Sequence, residues 1–443
     1  MNEPFPNKIV AQSLTLGREL SDFADQHRDQ PLADLERGVL DLVRKALPHL
    51  LGQVLKQSLS ALDSSGVRIS RRCPVCSERT RLKSWRERKV LTLCGKISFS
   101  RPWYICKKCK QGFSPVDQSL ELKERSRLSP EIRALLVDLG AKTSFTEAKE
   151  LLEKLTGLQV AKETIREHTE RAGACLEEAK AAAAAKVERT REPAEPVDKA
   201  PGQIVIQTDG VMVRYLDGWH EVKLGLVAGQ VDGKLESPSY LARRGAPWEF
   251  GPRLFAEAAR RGALEIASLE GPITGQRQMV LPKVAILGDG APWIWNLASE
   301  YFGDRTEIVD YYHASEHIWS LAEAFYGQRA DRAKTWANRQ CGRLLTKGPQ
   351  GLLRALGAIK RRSAEANDVL RREKGYFLTN QARMAYPTFK EQGLPIGSGA
   401  VESAARHLVQ QRMKRAGARW SKLGAQNVLN IRSQILSRLP IAC

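Results

Sequence analysis

No apolar run in the chain approaches the ~20 residues needed to cross a bilayer, which excludes a membrane-spanning helix from the expected architecture. The opening residues, MNEPFPNKIVAQ, lack a basic segment followed by an apolar core, so no secretory leader is read and a cytoplasmic protein is expected. No solenoid-type period recurs, which excludes a stacked-repeat fold. Cysteine is scarce, with eight in 443 residues, and four of these sit in two CxxC pairs. In a reducing compartment that pattern reads as metal ligation and not as a disulfide framework. Acidic residues are in deficit, 50 against 70 Lys and Arg, leaving a net charge of +20. A surplus of that size points to a polyanionic partner, of which nucleic acid is the commonest, although a generally basic soluble surface would give the same number. Hydrophobic residues at 42% suffice for a substantial core. At roughly 100–200 residues per domain, the length implies two to four domains.

The most specific local signal is Cys73-Pro-Val-Cys76 with Cys106-Lys-Lys-Cys109. Each knuckle brings two thiolates to one side of a tight turn, and four thiolates suit tetrahedral Zn²⁺. Residues 77–105 lie between the knuckles and alternate in a strand-like way, with Gly95 at a turn, so a β-hairpin is predicted there. Arg71, Arg72, Arg81, Lys83, Arg86, Arg88, Lys107, Lys108 and Lys110 make this ribbon basic, a composition suited to DNA, while Trp85, Trp103 and Tyr104 serve equally well as a small core.

Around the ribbon the pattern is helical. Residues 31–62 carry apolar positions at helical spacing, interrupted by Pro48, which is expected to break or kink the segment. Residues 145–172 divide at Gly157 into two helical stretches, a candidate helix-turn-helix in which Thr164, Arg166 and His168 would face a groove; an ordinary helical hairpin fits equally well. From 179 to 202 an alanine run and three prolines read as a helix fraying into a linker. Strand patterns follow, QIVIQTDGVMVRY, HEVKLGLVAGQV, VAILGDG and TEIVDYYH, then helical matter with basic faces. The organisation predicted is an N-terminal helical segment (1–66), a zinc ribbon (67–120), a helical DNA-binding region (121–178), a linker (179–202) and an α/β domain (203–443) carrying a helical insertion at about 318–395.

Asp209 closes one apolar strand and precedes Gly210; Asp289 closes another within Gly288-Asp289-Gly290. Side chains at strand C-termini of an open α/β sheet share a crevice. A carboxylate there is costly without a cation or an opposite charge, and flanking glycines would let a substrate backbone approach. Glu402 opens a helix after Gly397-Ser398-Gly399 and offers a third carboxylate. Three such groups can hold two Mg²⁺ or Mn²⁺ ions ~3.5–4 Å apart for phosphodiester chemistry. Singly, each Asp-Gly is more simply a turn. Asp310 also ends a strand-like segment and competes with Asp289. Past Glu402, a long basic helix from Ala400 onward would set Arg406, His407, Arg412, Lys414, Arg415, Arg419 and Lys422 against phosphates, or against solvent alone.

From about residue 203 to 433 the chain resembles the DDE transposases of bacterial insertion sequences, nearest the ISKra-type group related to mutator-like transposases. The residues that carry the resemblance are Gln207-Thr208-Asp209-Gly210, Gly288-Asp289-Gly290-Ala291-Pro292-Trp293, Asp310-Tyr311-Tyr312-His313 and Gly397-Ser398-Gly399-Ala400-Val401-Glu402-Ser403. The resemblance implies an RNase H-like mixed sheet with a helical insertion, Asp209, Asp289 and Glu402 as catalytic triad, and an accessory role for Asp310 and His313. It further implies double-stranded DNA as partner (element ends and target), a dimer or larger synaptic assembly, and a place at the bacterial nucleoid. Two other readings stay open. His313-Ala-Ser-Glu316-His317 spells an inverted zinc-protease motif. A DNA-binding regulator, nuclease or resolvase built from the same parts would share every feature named.

Overall fold

A computed structural model of the chain describes residues 8–63, 70–123, 126–190, 202–263, 283–359 and 363–441. The chain divides into two compact units, Met1–His168 and Thr169–Cys443. The first opens with α1 (Lys8–Gln26) and α2 (Leu32–Asp63), both within the expected N-terminal helical segment. Pro48 does not break α2, which continues through it. An interior proline costs a helix about 3 kcal/mol, and packing offsets that here. Leu51, Leu55 and Leu59 lie against a cluster of Val90, Ile97, Phe99, Val116 and Leu122. Pro48 itself abuts the hairpin turn, where a Cβ on Gly95 would fall 2.6 Å from its Cγ.

The ribbon consists of β1 (Arg71–Arg72) paired with β2 (Arg79–Thr80), and of the antiparallel sheet β3 (Leu82–Thr92), β4 (Gly95–Ile105) and β5 (Gly112–Phe113). The short helix α3 (Pro115–Ser119) sets Asp117 between Arg88 at 2.6 Å and Arg101 at 3.0 Å. Arg88 is therefore not a DNA-facing cation: it is buried, and it also donates to the carbonyls of Lys123 and Ser126. Next, α4 (Pro130–Lys142), α5 (Phe145–Thr156) and the start of α6 (Lys162–Thr190) share a core of Ile132, Leu136, Ala148, Leu152, Val160 and Ile165. Ser144 and Glu147 close a capping box on α5, and Gly157 ends it at φ 74°. The candidate helix-turn-helix is thus two helices with a glycine-capped turn, with Thr164 half-buried and Arg166 exposed. Its second helix is 29 residues long. It holds through the alanine run, expected to lie in the linker from 179, because alanine is the strongest helix former; residues 191–201 lie outside the described residues.

The second unit is built on one mixed sheet. Strands β6 (Gln203–Tyr215), β7 (Gly218–Val231) and β8 (Lys234–Arg244) form an antiparallel meander. After α7 (Pro247–Ala258), β9 (Lys283–Gly288) returns parallel to β6; after α8 (Pro292–Tyr301), β10 (Arg305–Val309) lies parallel to β9. The order across the sheet is β10-β9-β6-β7-β8. Helices α9 (Tyr311–Tyr326), α10 (Asp331–Gly357), α11 (Ala364–Thr379) and α12 (Tyr386–Glu391) follow, so the helical stretch begins at Tyr311, ahead of the expected 318. Then come α13 (Gly399–Ala404), a π-helical segment Ala405–Gln410, α14 (Gln411–Met413) and α15 (Lys422–Leu436). The single long basic helix expected from Ala400 is therefore two helical stretches separated by residues 414–421. Strand side chains alternate between faces. Thr208 and its partner Gly225 face α7, where a Cβ at 225 would meet Leu254 at 2.8 Å. Gln207 and Asp209 face α13. No helix of the described residues is long and apolar enough to cross a membrane.

Candidate functional site

Strand register sets the first two carboxylates side by side. In the parallel pair β6–β9, Gln207 stands opposite Leu287. Two residues further along each chain, beyond the last paired positions, come Asp209 and Asp289. The neighbouring register, Val309 opposite Gly288, brings Asp310 to the level of Asp289 on its other side. Asp289 and Asp310 thus follow directly on the ends of β9 and β10, whereas Asp209, expected to close its strand, lies midway along β6, which runs on to Tyr215 because residues 208–215 stay paired with β7 after β9 has ended.

Glu402 is brought to this row by a clamp that the sequence alone did not reveal. The Val401 N–H donates to Gln207 Oε1 at 3.0 Å, and Gln207 Nε2 donates to the Gly397 carbonyl at 3.4 Å. Gln207 is buried and lies two residues before Asp209 on the same face, so the strand that carries Asp209 also grips the helix that carries Glu402. Ser398 Oγ donates to Glu402 Oε1 at 2.9 Å. Burial raises the Asp209 carboxyl above its ordinary range; the neighbouring Gly210 N–H opposes this, Asp289 and Glu402 raise it further, and His313 opposes. Asp209 Oδ1 accepts from Gly210 N–H at 2.7 Å, and Asp289 Oδ1 from Ala291 N–H at 2.8 Å.

Asp310 has a different station. It is 1% exposed. Its Oδ1 accepts from His313 N–H at 2.7 Å, capping α9, and its Oδ2 accepts from Ser398 N–H. Its own N–H donates to the Gly288 carbonyl at 2.8 Å, and Tyr311 N–H to Ile396 at 2.9 Å. Both carboxylate oxygens are engaged by backbone, so Asp310 ties the strand ends to the segment that leads into Glu402. Asp310→Ala is expected to destabilise the protein by about 1–3 kcal/mol, the cost of leaving buried donors unmet, and to weaken divalent-metal binding without abolishing it. Thermal unfolding with and without Mn²⁺ checks this. Unchanged stability with complete loss of the Mn²⁺ effect would make Asp310 a ligand.

The glycines beside the aspartates serve the protein's own side chains. A Cβ on Gly210 would lie 2.1 Å from Glu221 Oε1. Gly290, at φ +102°, would put one 3.0 Å from the Tyr376 ring. Tyr376 Oη donates to the Asp289 carbonyl at 3.1 Å, so α11 steadies the Asp289 loop. Tyr376 also stacks on His317 at 3.7 Å between ring centroids, and His317 Nδ1 lies 2.5 Å from the buried Glu373. His313 is partly exposed, 3.4 Å from Glu316.

Four cysteines form the other centre. Cys73 Sγ lies 3.5 Å from Cys109 Sγ, and Cys76 Sγ 3.5 Å from Cys106 Sγ. The knuckles repeat each other: Cys73 N–H donates to Glu78 and Cys106 N–H to Gln111, both at 2.8 Å, with Ser77 and Lys110 at φ 58° and 61°. The Cys109 backbone N–H is the first cause that lowers Cys106 to about 7. Zinc–sulfur bonds of ~2.3 Å in a tetrahedron require sulfurs roughly 3.8 Å apart, so this cluster could hold a zinc ion. Among the described residues it alone brings three or more metal-ligand atoms within 4.8 Å of one another. The three carboxylates are not drawn that close, and His313, Glu316 and His317 form no such set.

Residues 31–210 match the model of an uncharacterised protein family, UPF0236. That span runs from α2 through the ribbon to the Asp209-Gly210 pair. The chain is also similar to a protein of Streptococcus gallolyticus, named "UPF0236 protein in vanSb 3'region". The two are 25% identical over 353 residues, covering 77% of this chain and 71% of the relative.

Of the basic residues expected beyond Glu402, Arg406, His407, Lys414, Arg415, Arg419 and Lys422 are exposed. Arg412 is not: it is 4% exposed, with its guanidinium 4.7 Å over the Trp420 ring. It packs the loop and is withdrawn from the phosphate-facing set.

Proposed function

We propose that this protein is a DDE-type DNA transposase, with an RNase H-like core in the second unit that cleaves DNA at element ends and joins them to a target. The observation that carries the reading is the parallel register of β6 and β9, which brings Asp209 and Asp289 to the same level just beyond their last paired residues, with Glu402 held to β6 by Gln207. A sheet of three antiparallel strands extended by two parallel ones, with Asp209 midway along the central strand β6 and Asp289 just past the end of its neighbour β9, supports an RNase H-like assignment. Carboxylate oxygens are hard donors suited to Mg²⁺ or Mn²⁺. The Asp209 carboxyl is raised first by burial and further by Asp289 and Glu402, and a bound divalent cation would offset both effects. Held by Asp209, Asp289 and Glu402, such ions would activate a water or 3′-hydroxyl and stabilise the leaving oxygen.

The remaining residues position. Asp310, Ser398 and Gln207 hold Glu402 against the strand ends, Tyr376 steadies Asp289, and Arg406, Lys414, Arg415 and Arg419 neutralise phosphates. The cysteine ribbon, loaded with zinc, and the glycine-turned helix pair with Thr164 and Arg166 would bind duplex DNA. Two ends must be held together for joining, so a dimer or larger assembly is expected.

The test uses the full chain, Mn²⁺ or Mg²⁺, and DNA carrying the flanks of its own coding locus. Nicked and joined products are expected. Nicks without joining would make the protein a nuclease or resolvase. Binding without either product, where a control transposase works, would make it a DNA-binding regulator.

A further inference from the structure

A concave pocket of about 390 Å³ lies at the tip of the β6–β7 hairpin, lined by Arg214, Trp219, Lys414, Arg415, Gly417 and Arg419 among others. No carboxylate lines it. Arg214 and Trp219 are cross-strand partners in the hairpin, and the Trp219 indole is 57% exposed. An exposed tryptophan ringed by four cations is unusual on a soluble surface, since large aromatics are otherwise turned inward.

The wall opposite the hairpin is a pinned loop. Trp420 is buried, bridges to Tyr215, and accepts at its carbonyl from Leu216 N–H at 2.9 Å. Its indole N–H donates to the Met413 carbonyl at 3.2 Å, while Arg412 covers its ring. The Lys414 N–H donates to the Gln410 carbonyl and the Ala418 N–H to the Arg415 carbonyl, each at 3.0 Å. The loop that presents Lys414, Arg415 and Arg419 is therefore fixed before any ligand arrives, which lowers the ordering cost of binding.

We infer that this pocket binds an unpaired nucleotide of the DNA substrate, its base stacked on Trp219 and its phosphates held by the four cations. Inside a duplex both faces of each base are covered by their neighbours, so an exposed indole has no base to stack on there. Once a base is unstacked, stacking contributes to every base alike. The inference rests on the proposed DNA chemistry for its purpose, and the placement fits it. Arg214 lies five residues past Asp209 on β6, roughly 17 Å at ~3.4 Å per residue. That span is about five stacked nucleotides at ~3.4 Å per step. The pocket takes the strand a few nucleotides from the scissile phosphate, where opened or flanking single strand would emerge.

The experiment is fluorescence anisotropy in EDTA, which reads binding whether or not the protein has any catalytic activity. The full chain is titrated with blunt duplex and with the same duplex carrying a five-nucleotide single-stranded tail. Trp219→Ala is expected to weaken tailed binding about 5- to 100-fold, the range of a lost base–aromatic stack, and to leave blunt binding unchanged. Trp219→Tyr restores most of the loss and shows that the effect is stacking and not misfolding. Arg214→Ala is expected to lower the salt dependence of tailed binding by about one phosphate contact. Equal effects of Trp219→Ala on both DNAs, or none on either, would overturn the inference while leaving the carboxylate chemistry untouched. Loss of cleavage with the tail preference intact would overturn only the transposase reading.

Discussion

Asp289→Asn is expected to abolish DNA cleavage and joining, by at least about a thousand-fold or roughly 4 kcal/mol of transition-state stabilisation, while DNA binding and folding survive. Asp209→Asn and Glu402→Gln should behave alike. The structural cost of each change is small. Asp289 Oδ1 accepts a backbone N–H from Ala291, and an asparagine oxygen can accept the same bond. Electrostatics then favours the variant in the absence of metal. The Asp209 carboxyl is raised first by burial, with Asp289 and Glu402 adding to it, so its ionised form costs stability at neutral pH. Removing one neighbouring charge relieves part of that cost, and the metal-free variant should melt at or above the wild-type temperature. Mn²⁺ should raise the melting temperature of the wild type by mass action and leave the variant where it was. Activity lost, stability kept and the metal response gone is a combination that a merely structural aspartate would not give. A variant that unfolds, or that still responds to Mn²⁺, would remove Asp289 from the site. Comparison with Asp310→Asn separates the two aspartates, because Asp310 has both oxygens committed to backbone N–H groups.

How much of this was readable beforehand depends on range. The two CxxC knuckles, the hairpin between them and the strand end at Asp289-Gly290 are local signals carried by residues a few positions apart; Asp209-Gly210 looks the same in sequence but sits inside β6, because β7 goes on pairing with residues 208–215. The meeting of carboxylates 80 and 113 residues apart is not local. It follows from the parallel register of β6 with β9 and from Gln207, whose side chain reaches the 397–401 backbone. Nothing in the pattern around Gln207 marks that role except its place two residues before Asp209, directly after the apolar run Ile204-Val205-Ile206. Tyr376 and Ser398 were hidden for the same reason. Charge misled where burial decides. Arg88 and Arg412 count toward the basic surplus in composition, but one is buried against Asp117 and the other over Trp420. The break in the expected C-terminal helix had a local mark, Gly417 followed by Ser421, which caps α15 by accepting from Gly424 N–H at 3.1 Å.

Removing metal from the cysteine cluster is expected to unfold the ribbon and leave the second unit folded. The apolar matter around the cluster is slight: Tyr104 and Phe113, with Leu82 partly buried beside the cysteines. That is far too little to order strands of two residues such as β1, β2 and β5, and apparent binding free energies of about 10–16 kcal/mol are typical where structural Zn²⁺ holds such pieces. The consequence travels within the first unit, because Leu51, Leu55 and Leu59 of α2 pack on the hairpin that the cluster anchors. Cys106→Ser, or chelation of the wild type, should therefore expose backbone amides across residues 71–113 and loosen the second half of α2. The amides of β6, β7 and β9, in the other unit, should keep their protection. Hydrogen exchange read by mass spectrometry resolves the two regions in one measurement. Metal analysis of the same sample should return one zinc per chain, lost in Cys106→Ser. Two zincs per chain, one surviving that substitution, would return His313 and His317 to consideration as ligands. Undiminished protection of the ribbon after complete metal loss would mean that the four sulfurs sit 3.5 Å apart in pairs for packing alone, and the zinc assignment would fall with it.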